Sequence, residues 1–392
     1  MNALRNYLDK IKPNFEEGGK LHAFRSVFDG FETFLFVPNT TAKSGVHVHD
    51  AIDSKRIMSF VVIALIPALL FGMYNVGYQN ALAGGGDMTD HVGMFLFGFL
   101  AVLPKILVSY IVGLGIEFVV AQWKNEEIQE GYLVSGIIIP LIIPVTTPLW
   151  ILALAVAFSV IFAKEIFGGT GMNIFNVALV ARAFLFFSYP GCLTGDSVWV
   201  ESSSIFGLGY DLADGATCAT PLGIAAANGV QSASLTIDSI TGLIPGCIGE
   251  TSVIAIALGG LLLLWTGVAS WKTMFSVFVG GALTAILFNN FGAADNAVAQ
   301  LPWYQHITLG GFCFGAVFMA TDPVTSARTE IGKYFYGFFI GVIAIVVRVL
   351  NPGYPEGMML AILFMNVFAA LIDYYVVQSN INKRANRAKL KK

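Results

Sequence analysis

Apolar and polar residues alternate along this chain in long blocks, not at the short periods that mark an amphipathic helix or a half-buried strand. Most apolar blocks approach the roughly 20 residues that an α-helix needs to cross a bilayer. The sequence predicts ten spans, at 57–77, 92–122, 131–147, 149–166, 173–189, 251–268, 273–290, 305–321, 335–350 and 358–378. We therefore expect an all-α polytopic membrane protein. The composition agrees, since 56% of the residues are hydrophobic and only 12% are charged.

Two of these spans contain residues that interrupt helices. The span 131–147 holds Pro140 and Pro144, and the span 305–321 holds three glycines. Proline removes a helical hydrogen bond and clashes with the preceding turn. Glycine also serves close helix packing, which explains the glycines but less readily two prolines in one short span. Interrupted helices at matching places in two halves point to a binding site near the middle of the membrane.

A weak internal repeat supports the division into two halves. Residues 171–187 and 356–372 share a Gly-Met pair near their start and an apolar run rich in Phe and Ala. Each run is the fifth span of a half with five spans. An odd number of spans per half makes the two halves inverted relative to each other. The sequence thus predicts ten transmembrane helices as two inverted five-helix repeats with interrupted third helices.

The distribution of charged residues among the loops predicts the orientation of the chain in the membrane. The segment 190–250 contains six acids and no Lys or Arg, and the loops 78–91 and 291–304 also lack basic residues. The segments predicted on the opposite side of the membrane, including both termini, hold 19 of the 22 Lys and Arg residues. Because basic loops stay in the cytoplasm, both termini are expected there and 190–250 outside. Splitting the span 92–122 at Pro104 would reverse this pattern, so a single kinked helix is expected.

These assignments divide the chain into five parts. They are a cytoplasmic N-terminal segment 1–56, a first five-helix repeat 57–189, a periplasmic loop 190–250, a second five-helix repeat 251–378 and a basic cytoplasmic tail 379–392.

Ionisable residues inside or at the ends of spans are costly and are functional candidates. They are Glu117, Glu130, Glu165, Arg182, Asp322, Glu330 and Asp373. Three of the carboxylates, Glu130, Asp322 and Asp373, lie at the cytoplasmic ends of their spans. Carboxylate oxygens suit hard cations such as Na⁺, so these three are candidates for ion uptake. A paired residue at a helix end remains the alternative for each.

Other sites are less favoured. The four cysteines show no CxxC spacing, and His47 and His49 have no further ligands nearby, so no metal site is expected. The three cysteines of 190–250 are an odd number, which favours small buried residues over a disulfide. The glycine-rich stretch 164–173 lacks the GK[ST] of a phosphate loop, and a tight turn is the better interpretation. No basic stripe indicates nucleic acid.

The run DGATCATPL at 214–222 is open to two interpretations. Thr220 before Pro221 is a common helix start, with Thr as the N-cap and Pro at the first helical position. From spacing alone this structural interpretation is favoured. However, the pattern of Asp214, Thr217 and Thr220 resembles the flavinylation motif of the Na⁺-pumping NADH:quinone reductases and their Rnf relatives.

Further stretches extend the resemblance over nearly the whole chain. Residues 50–58, 164–187 and 319–330 are similar to the B subunits of that reductase family. Cys218 and Pro221 depart from the usual family residues, and the run ATPL is closer to the D subunit of Rnf complexes. The long extension before the first span favours the B subunit.

The resemblance implies a role in electron transfer. It implies FMN joined through its phosphate to Thr220, within a motif that includes Asp214 and Thr217, and riboflavin bound without a covalent bond. It implies oxidation of NADH on a partner subunit, reduction of a quinone, and Na⁺ export across a bacterial inner membrane by a complex with subunits A, C, D, E and F. Asp322, Asp373 and Glu130 match the family's functional carboxylates. The chain has no GxGxxG fingerprint, consistent with NADH binding elsewhere.

Three other functions stay open at this point. The first is the D subunit of an Rnf-type ferredoxin:NAD oxidoreductase. The second is a transporter without redox chemistry, because the inverted five-plus-five fold resembles urea channels. The third is a structural membrane protein that only holds its partners together.

Overall fold

The computed structural model describes most of the chain. The described residues are 2–16, 19, 21, 24–36, 44–47, 52, 54–124, 131–212, 218–228, 236–293, 296–351 and 357–390. Within these ranges the secondary structure is helical, apart from one isolated bridge between Ile205 and Leu208.

Two short amphipathic helices come first, α1 at Asn2–Ile11 and α2 at Arg25–Leu35. Glu32 of α2 is buried and lies 2.8 Å from the Lys12 Nζ and 3.2 Å from a guanidinium nitrogen of Arg5. Arg56 donates to the backbone carbonyl of Phe34 at 3.1 Å. The N-terminal helices are therefore attached to the chain at the point where the first long apolar helix begins.

The next group contains five apolar helices. They are α3 at Ser54–Gly84, α4 at His91–Lys124, α5 at Tyr132–Leu141, α6 at Leu149–Ser159 with a π-helical continuation at Val160–Glu165, and α7 at Val177–Ser188. Helix α4 continues through Pro104, so the predicted span 92–122 is one helix as expected. Helices α3 and α4 pack with their backbones in contact, since a Cβ at Gly98 would lie 1.7 Å from the Met73 carbonyl oxygen.

The segment after α7 carries two short helices, α8 at Pro221–Asn228 and α9 at Thr236–Thr241. Asn80 of α3 fastens this segment, because its amide donates to the carbonyls of Glu201 and Tyr210 at 2.8 and 2.9 Å. These contacts explain why α3 runs past the predicted end of its span at residue 77. All four cysteines are free, and Cys247 and Cys313 are buried.

The last group also contains both long and short helices. It consists of α10 at Val253–Trp265, α11 at Trp271–Phe291, α12 at Trp303–Thr308, α13 at Phe312–Phe314 with a π-helical continuation at Gly315–Met319, α14 at Glu330–Leu350 and α15 at Met358–Leu390. Helix α11 packs along α14, and α14 along α15.

Five helices of the described chain, α3, α4, α11, α14 and α15, are long and apolar enough to cross a membrane. Helices α5, α7 and α10 are apolar but shorter. Both segments in which the sequence predicts an interruption are interrupted. Helix α5 ends at Leu141, between the two prolines of its span. Helices α12 and α13 are separated by a turn in which Gly310 has a φ of +64°, a conformation that favours glycine.

Lys164 is one of the 19 basic residues that the sequence assigns to the cytoplasmic side, and its environment could not be predicted. The structure buries it, with 3% of its surface exposed and its Nζ 2.6 Å from the Glu117 Oε1. The π-helical turn at Val160–Glu165 directs Lys164 inward toward α4, which hydropathy along the sequence cannot show.

Candidate functional site

Two cavities lie at opposite ends of α10. Glu250 and Thr251, just before the helix, line the first, and Leu263 and Val268 at its other end line the second. Helix α10 has 13 residues. A rise of 1.5 Å per residue separates the two ends by about 20 Å. We call them the Thr220 cavity and the Asp322 cavity.

The Thr220 cavity comprises about 310 Å³ of space, including its open mouth. It is formed by the start of α8, the loop before α10 and the turn between α12 and α13. Its lining residues are Thr220, Pro221, Leu222, Ile244, Pro245, Gly246, Cys247, Glu250, Thr251 and Gly310.

Thr220 is the residue that precedes α8. Its hydroxyl oxygen accepts from the Gly223 N–H at 3.2 Å, and its carbonyl accepts from the Ile224 N–H at 2.9 Å. The side chain therefore caps the helix, as the Thr-Pro pair predicts. Only 9% of the residue is exposed, and what is exposed lines the cavity. Thr220 is therefore a helix cap, and it also lines the Thr220 cavity.

The surroundings of this hydroxyl fit a phosphate ester. The first N–H groups of a helix have no intrahelical partner, and the helix dipole favours negative charge there. Gly223 leaves room, since a Cβ at this position would come within 3.3 Å of the Thr220 Oγ1. Asp214 and Thr217, the other two residues of the motif, lie outside the described residues. Burial raises the pKa of the neighbouring Cys218 thiol, so this thiol is a weak competitor as a nucleophile.

Glu250, which lines the Thr220 cavity, belongs to a buried ion pair. Arg182 is 1% exposed, and its Nη1 lies 3.0 Å from the Glu250 Oε1 and 3.4 Å from the Cys247 Sγ. The same nitrogen donates to the carbonyl of Ile142, the residue that follows α5. The pair thus joins α7, the end of α5 and the loop before α10.

The two buried arginines have a similar structural role. Arg182 donates to Ile142 beyond α5, and Arg348 of α14 donates to the carbonyls of His306 and Leu309 around the end of α12. An interrupted helix leaves carbonyls without N–H partners, which is costly away from water. The planar guanidinium has five donors and can satisfy several of them. Each interruption is therefore stabilised by one arginine.

The Asp322 cavity is larger, with about 790 Å³ of space including its open mouth. It lies between the first group of helices and the second. Its lining residues are Ile57, Met58, Val61, Gly131, Val134, Ser135, Ile138, Lys164, Thr170, Asn173, Asn176, Val177, Leu263, Val268, Ala269, Phe318, Thr321, Asp322, Pro323 and Val324. Most are apolar, with a few amides, hydroxyls and charges, which is the usual composition of a small-molecule site.

Asp322 is held by three donors. Its Oδ1 accepts from the Val324 N–H at 3.0 Å, and its Oδ2 accepts from the Thr325 hydroxyl at 3.0 Å and the Asn176 amide at 3.1 Å. Asn176 is buried and also caps α7, where its Oδ1 accepts from the Ala178 N–H at 3.0 Å. One side chain therefore fixes both the start of α7 and the carboxylate.

Asp373 lies in α15 and is not part of this cavity. It accepts from the N–H groups of Arg328 and Thr329 at 2.7 and 2.9 Å and from the Thr329 hydroxyl at 2.5 Å. Asp322 and Asp373 thus hold opposite ends of the segment 322–329. Glu130 lies outside the described residues, so the structure brings together only part of the predicted set.

Several of the ionisable candidates form ion pairs in the described part of the chain. Glu117 pairs with Lys164, Arg182 with Glu250, and Glu330 with both Lys272 and Lys333, and the Glu165 carboxylate lies 3.8 Å from the Lys124 Nζ. Asp322 and Asp373 instead accept hydrogen bonds from neutral groups and form no ion pair within the described residues.

Sequence reasoning missed three residues that the structure places at the cavities. Glu250 is one of six acids in a long loop, Lys164 is one of many basic residues, and Asn176 is a polar residue in an apolar run. Their partners are 68, 47 and 146 residues away in the chain. Only their position at the ends of predicted spans was a usable signal.

Known proteins resemble this chain over almost its whole length. Residues 41–382 match the NQR2, RnfD, RnfE family. A protein of Chromohalobacter salexigens, named as the B subunit of the Na(+)-translocating NADH-quinone reductase, is 45% identical, over 98% of this chain and 96% of that protein. Proteins named in the same way from Pseudoalteromonas atlantica and Yersinia pestis are each 42% identical, over 98% of this chain and 99% of theirs.

Proposed function

The chain belongs to the NQR2, RnfD, RnfE family, and we propose that it is the B subunit of a Na⁺-translocating NADH:quinone reductase. In this role it is one membrane subunit of a complex that also contains subunits A, C, D, E and F. The complex transfers electrons from NADH to a quinone and exports Na⁺. The observation that carries the proposal is the position of Thr220, whose hydroxyl borders a cavity at the start of a helix.

FMN is proposed to be attached to the Thr220 Oγ1 through its phosphate. The support is the match of Asp214, Thr217 and Thr220 to the flavinylation motif, together with the N-terminus of α8 and the space at Gly223. In the linkage the phosphoryl group replaces the hydroxyl hydrogen. The N-terminus of α8 would then lie beside the ester's negative charge, and the residues that line the cavity would position the flavin.

Riboflavin is proposed to occupy the Asp322 cavity. Its apolar walls and its amides and hydroxyls suit a three-ring heterocycle with a polyol chain. Asn173, Asn176 and Thr170 offer donors and acceptors, and Lys164 at the wall is paired with Glu117. Flavins supply the electron-transfer chemistry, and the protein contributes position, exclusion of water and local charge.

The membrane arrangement is proposed as two inverted repeats of five spans, 57–189 and 251–378, with both termini in the cytoplasm of a bacterial cell and the loop 190–250 outside the inner membrane. The basic-residue pattern supports this orientation. The two interrupted segments, each closed by an arginine, support the internal symmetry. On this topology the Asp322 cavity is on the cytoplasmic side and the Thr220 cavity on the periplasmic side.

Na⁺ uptake is proposed to involve Asp322, Asp373 and Glu130. The support is strongest for Asp322, because it lines a cavity and its carboxylate accepts hydrogen bonds only from neutral groups among the described residues. A carboxylate held by neutral donors can accept a metal cation without first losing a salt bridge. Asp373 contributes through the segment 322–329, which it holds at the far end.

One observation favours the D subunit of an Rnf-type complex as a second candidate. Cys218 and Pro221 stand where B subunits usually have other residues, and ATPL is closer to the Rnf sequence. The electron donor separates the two, because the Rnf complex oxidises ferredoxin and reduces NAD.

Purification of the native complex through a tag on this chain tests the proposal. We expect five further subunits, NADH oxidation coupled to quinone reduction, and stimulation of the rate by Na⁺. A complex that oxidises reduced ferredoxin with NAD as acceptor would favour the second candidate. A chain that purifies alone and carries small neutral solutes would identify a simple channel.

A further inference from the structure

We propose that Glu250 and Thr251 form a binding site for a hard monovalent cation, Na⁺ in this complex, at the Thr220 end of α10, with Arg182 as the internal cation that takes its place. The site rests on the proposed function, and it adds a step on the periplasmic side. The acids considered above belong to the cytoplasmic side, whereas an exported ion also needs oxygen ligands beyond the middle of the membrane.

The backbone around Glu250 has the character of an ion-binding loop. Residues 247–252 are all buried, yet they are not helical. Helix α3 packs directly on them, since a Cβ at Gly72 would lie 1.9 Å from the Ile248 carbonyl oxygen. Non-helical backbone at membrane depth occurs where it is enclosed by protein or lines a water-filled cavity, and this loop is enclosed by protein.

Thr251 supplies an independent observation. It is 4% exposed, it lines the Thr220 cavity, and its hydroxyl has no hydrogen-bond partner among the described residues. An unpartnered buried hydroxyl is destabilising. Because Glu250 lines the same cavity, a ligand held there by its carboxylate would also give this hydroxyl a partner. Two hard oxygen ligands with a net negative charge favour a cation such as Na⁺ over any anion.

Arg182 allows the cation to bind to Glu250 reversibly. The guanidinium lies 3.0 Å from Glu250, but it also contacts the Ile142 carbonyl and the Cys247 sulfur. When the guanidinium releases Glu250, it keeps these two neutral partners, and a cation takes its place beside the carboxylate. When it returns, it displaces the cation. The pair thus has two arrangements, one closed by Arg182 and one occupied by Na⁺.

Charge balance links the site to Thr220. Arg182 and Glu250 together are neutral, so an added cation needs another negative charge nearby in this low-dielectric region. The phosphate ester proposed at Thr220 carries that charge and borders the same cavity. The chain without the ester should therefore bind the cation more weakly.

Equilibrium binding of radioactive Na⁺ to the purified complex, at constant ionic strength, tests the site. Thr251→Val removes the hydroxyl with little change of shape. If Thr251 has only a structural role, Na⁺ binding should not change, because its hydroxyl has no partner among the described residues. If the hydroxyl is a ligand, Na⁺ should bind about tenfold more weakly at this site, which is the value of one interaction with a charged group. The double variant Arg182→Gln, Glu250→Gln removes both charges together, and this site should disappear. Thr220→Val, which cannot carry the ester, should also weaken Na⁺ binding at this site.

Asp196→Asn, an exposed acid of the same loop, is the matched control and should bind as the wild type does. Identical isotherms for wild type and Thr251→Val would overturn the proposal, even if the double variant fails to assemble. NADH-driven Na⁺ accumulation in proteoliposomes is measured on the same preparations. A wild-type complex that accumulates no Na⁺ would contradict the proposed function, while the binding isotherms would still decide on this site.

Discussion

The amide of Asn176 donates to the Asp322 carboxylate at 3.1 Å, although the two residues are 146 positions apart. Asn176 begins α7 in the first group of helices, and Asp322 follows the interrupted helix of the second group. The contact therefore joins the two halves of the chain at the wall of the Asp322 cavity. Because Asn176 also caps α7, a movement of the start of α7 would move the amide that holds the Asp322 carboxylate.

Exchange of these two side chains tests the contact. Asn176→Asp keeps a good N-cap but replaces the amide donor by a second carboxylate beside Asp322. We expect the complex to lose about 2 kcal/mol of stability, the value of a hydrogen bond to a charged group. The double variant Asn176→Asp, Asp322→Asn restores one donor and one carboxylate and should recover most of that loss. Thermal unfolding followed by size-exclusion chromatography measures both. Equal instability of single and double variants would contradict the contact.

The dependence of turnover on Na⁺ tests the uptake carboxylates. In Asp322→Asn, Asp373→Asn and Glu130→Gln we expect a higher Na⁺ concentration for half-maximal quinone reduction, with NADH oxidation at the partner's own flavin unaffected. Asp373→Asn should also lower stability, because its carboxylate accepts three hydrogen bonds at the start of α14. Quinone reduction is titrated against Na⁺ for each variant. An unchanged Na⁺ dependence in all three would rule out the uptake role.

The helices and their interruptions could be predicted from the sequence, because each depends on residues close together in the chain. The two prolines around Leu141 and the Thr-Pro pair at Thr220 act locally, and the structure has the predicted helix end and helix start there. The ion pairs could not be predicted. Arg182 and Glu250 meet only because α5, α7 and the loop before α10 converge, and nothing local in the sequence encodes that convergence.

Labelling of Cys218 tests both orientation and burial. The residue is partly exposed in the loop that we place outside the cell. A membrane-impermeant maleimide added to intact cells, in a Cys192→Ser background, should label it. Because burial raises its pKa, the reactive thiolate is scarce at neutral pH. The labelling rate should therefore keep rising at pH values above the ordinary range of a cysteine, about 8.5. Labelling only after the cells are opened would place the loop inside, and a rate that levels off below pH ~8 would contradict the burial.

The glycine beside Thr220 provides a test of the space for the flavin. Alanine normally stabilises a helix relative to glycine by roughly 0.5 to 1 kcal/mol. At Gly223, however, the new Cβ would lie 3.3 Å from the Thr220 Oγ1. We expect Gly223→Ala to fold and assemble but to carry less covalent flavin, seen as a weaker fluorescent band on a denaturing gel. Gly191→Ala, which meets no atom within 4 Å in the same segment, is the control. Equal bands for the two variants would show that the space at Gly223 is not used.

The mass of the peptide that contains Thr220, taken from the purified wild-type complex, tests the central claim most directly. If FMN is joined to Thr220 through its phosphate, the peptide is heavier by FMN less one water, and fragmentation places the added mass on Thr220. The added mass is absent in Thr220→Val and present in Thr217→Val. An unmodified Thr220 in a complex that still reduces quinone with NADH, or an added mass that moves to Thr217, would contradict the account.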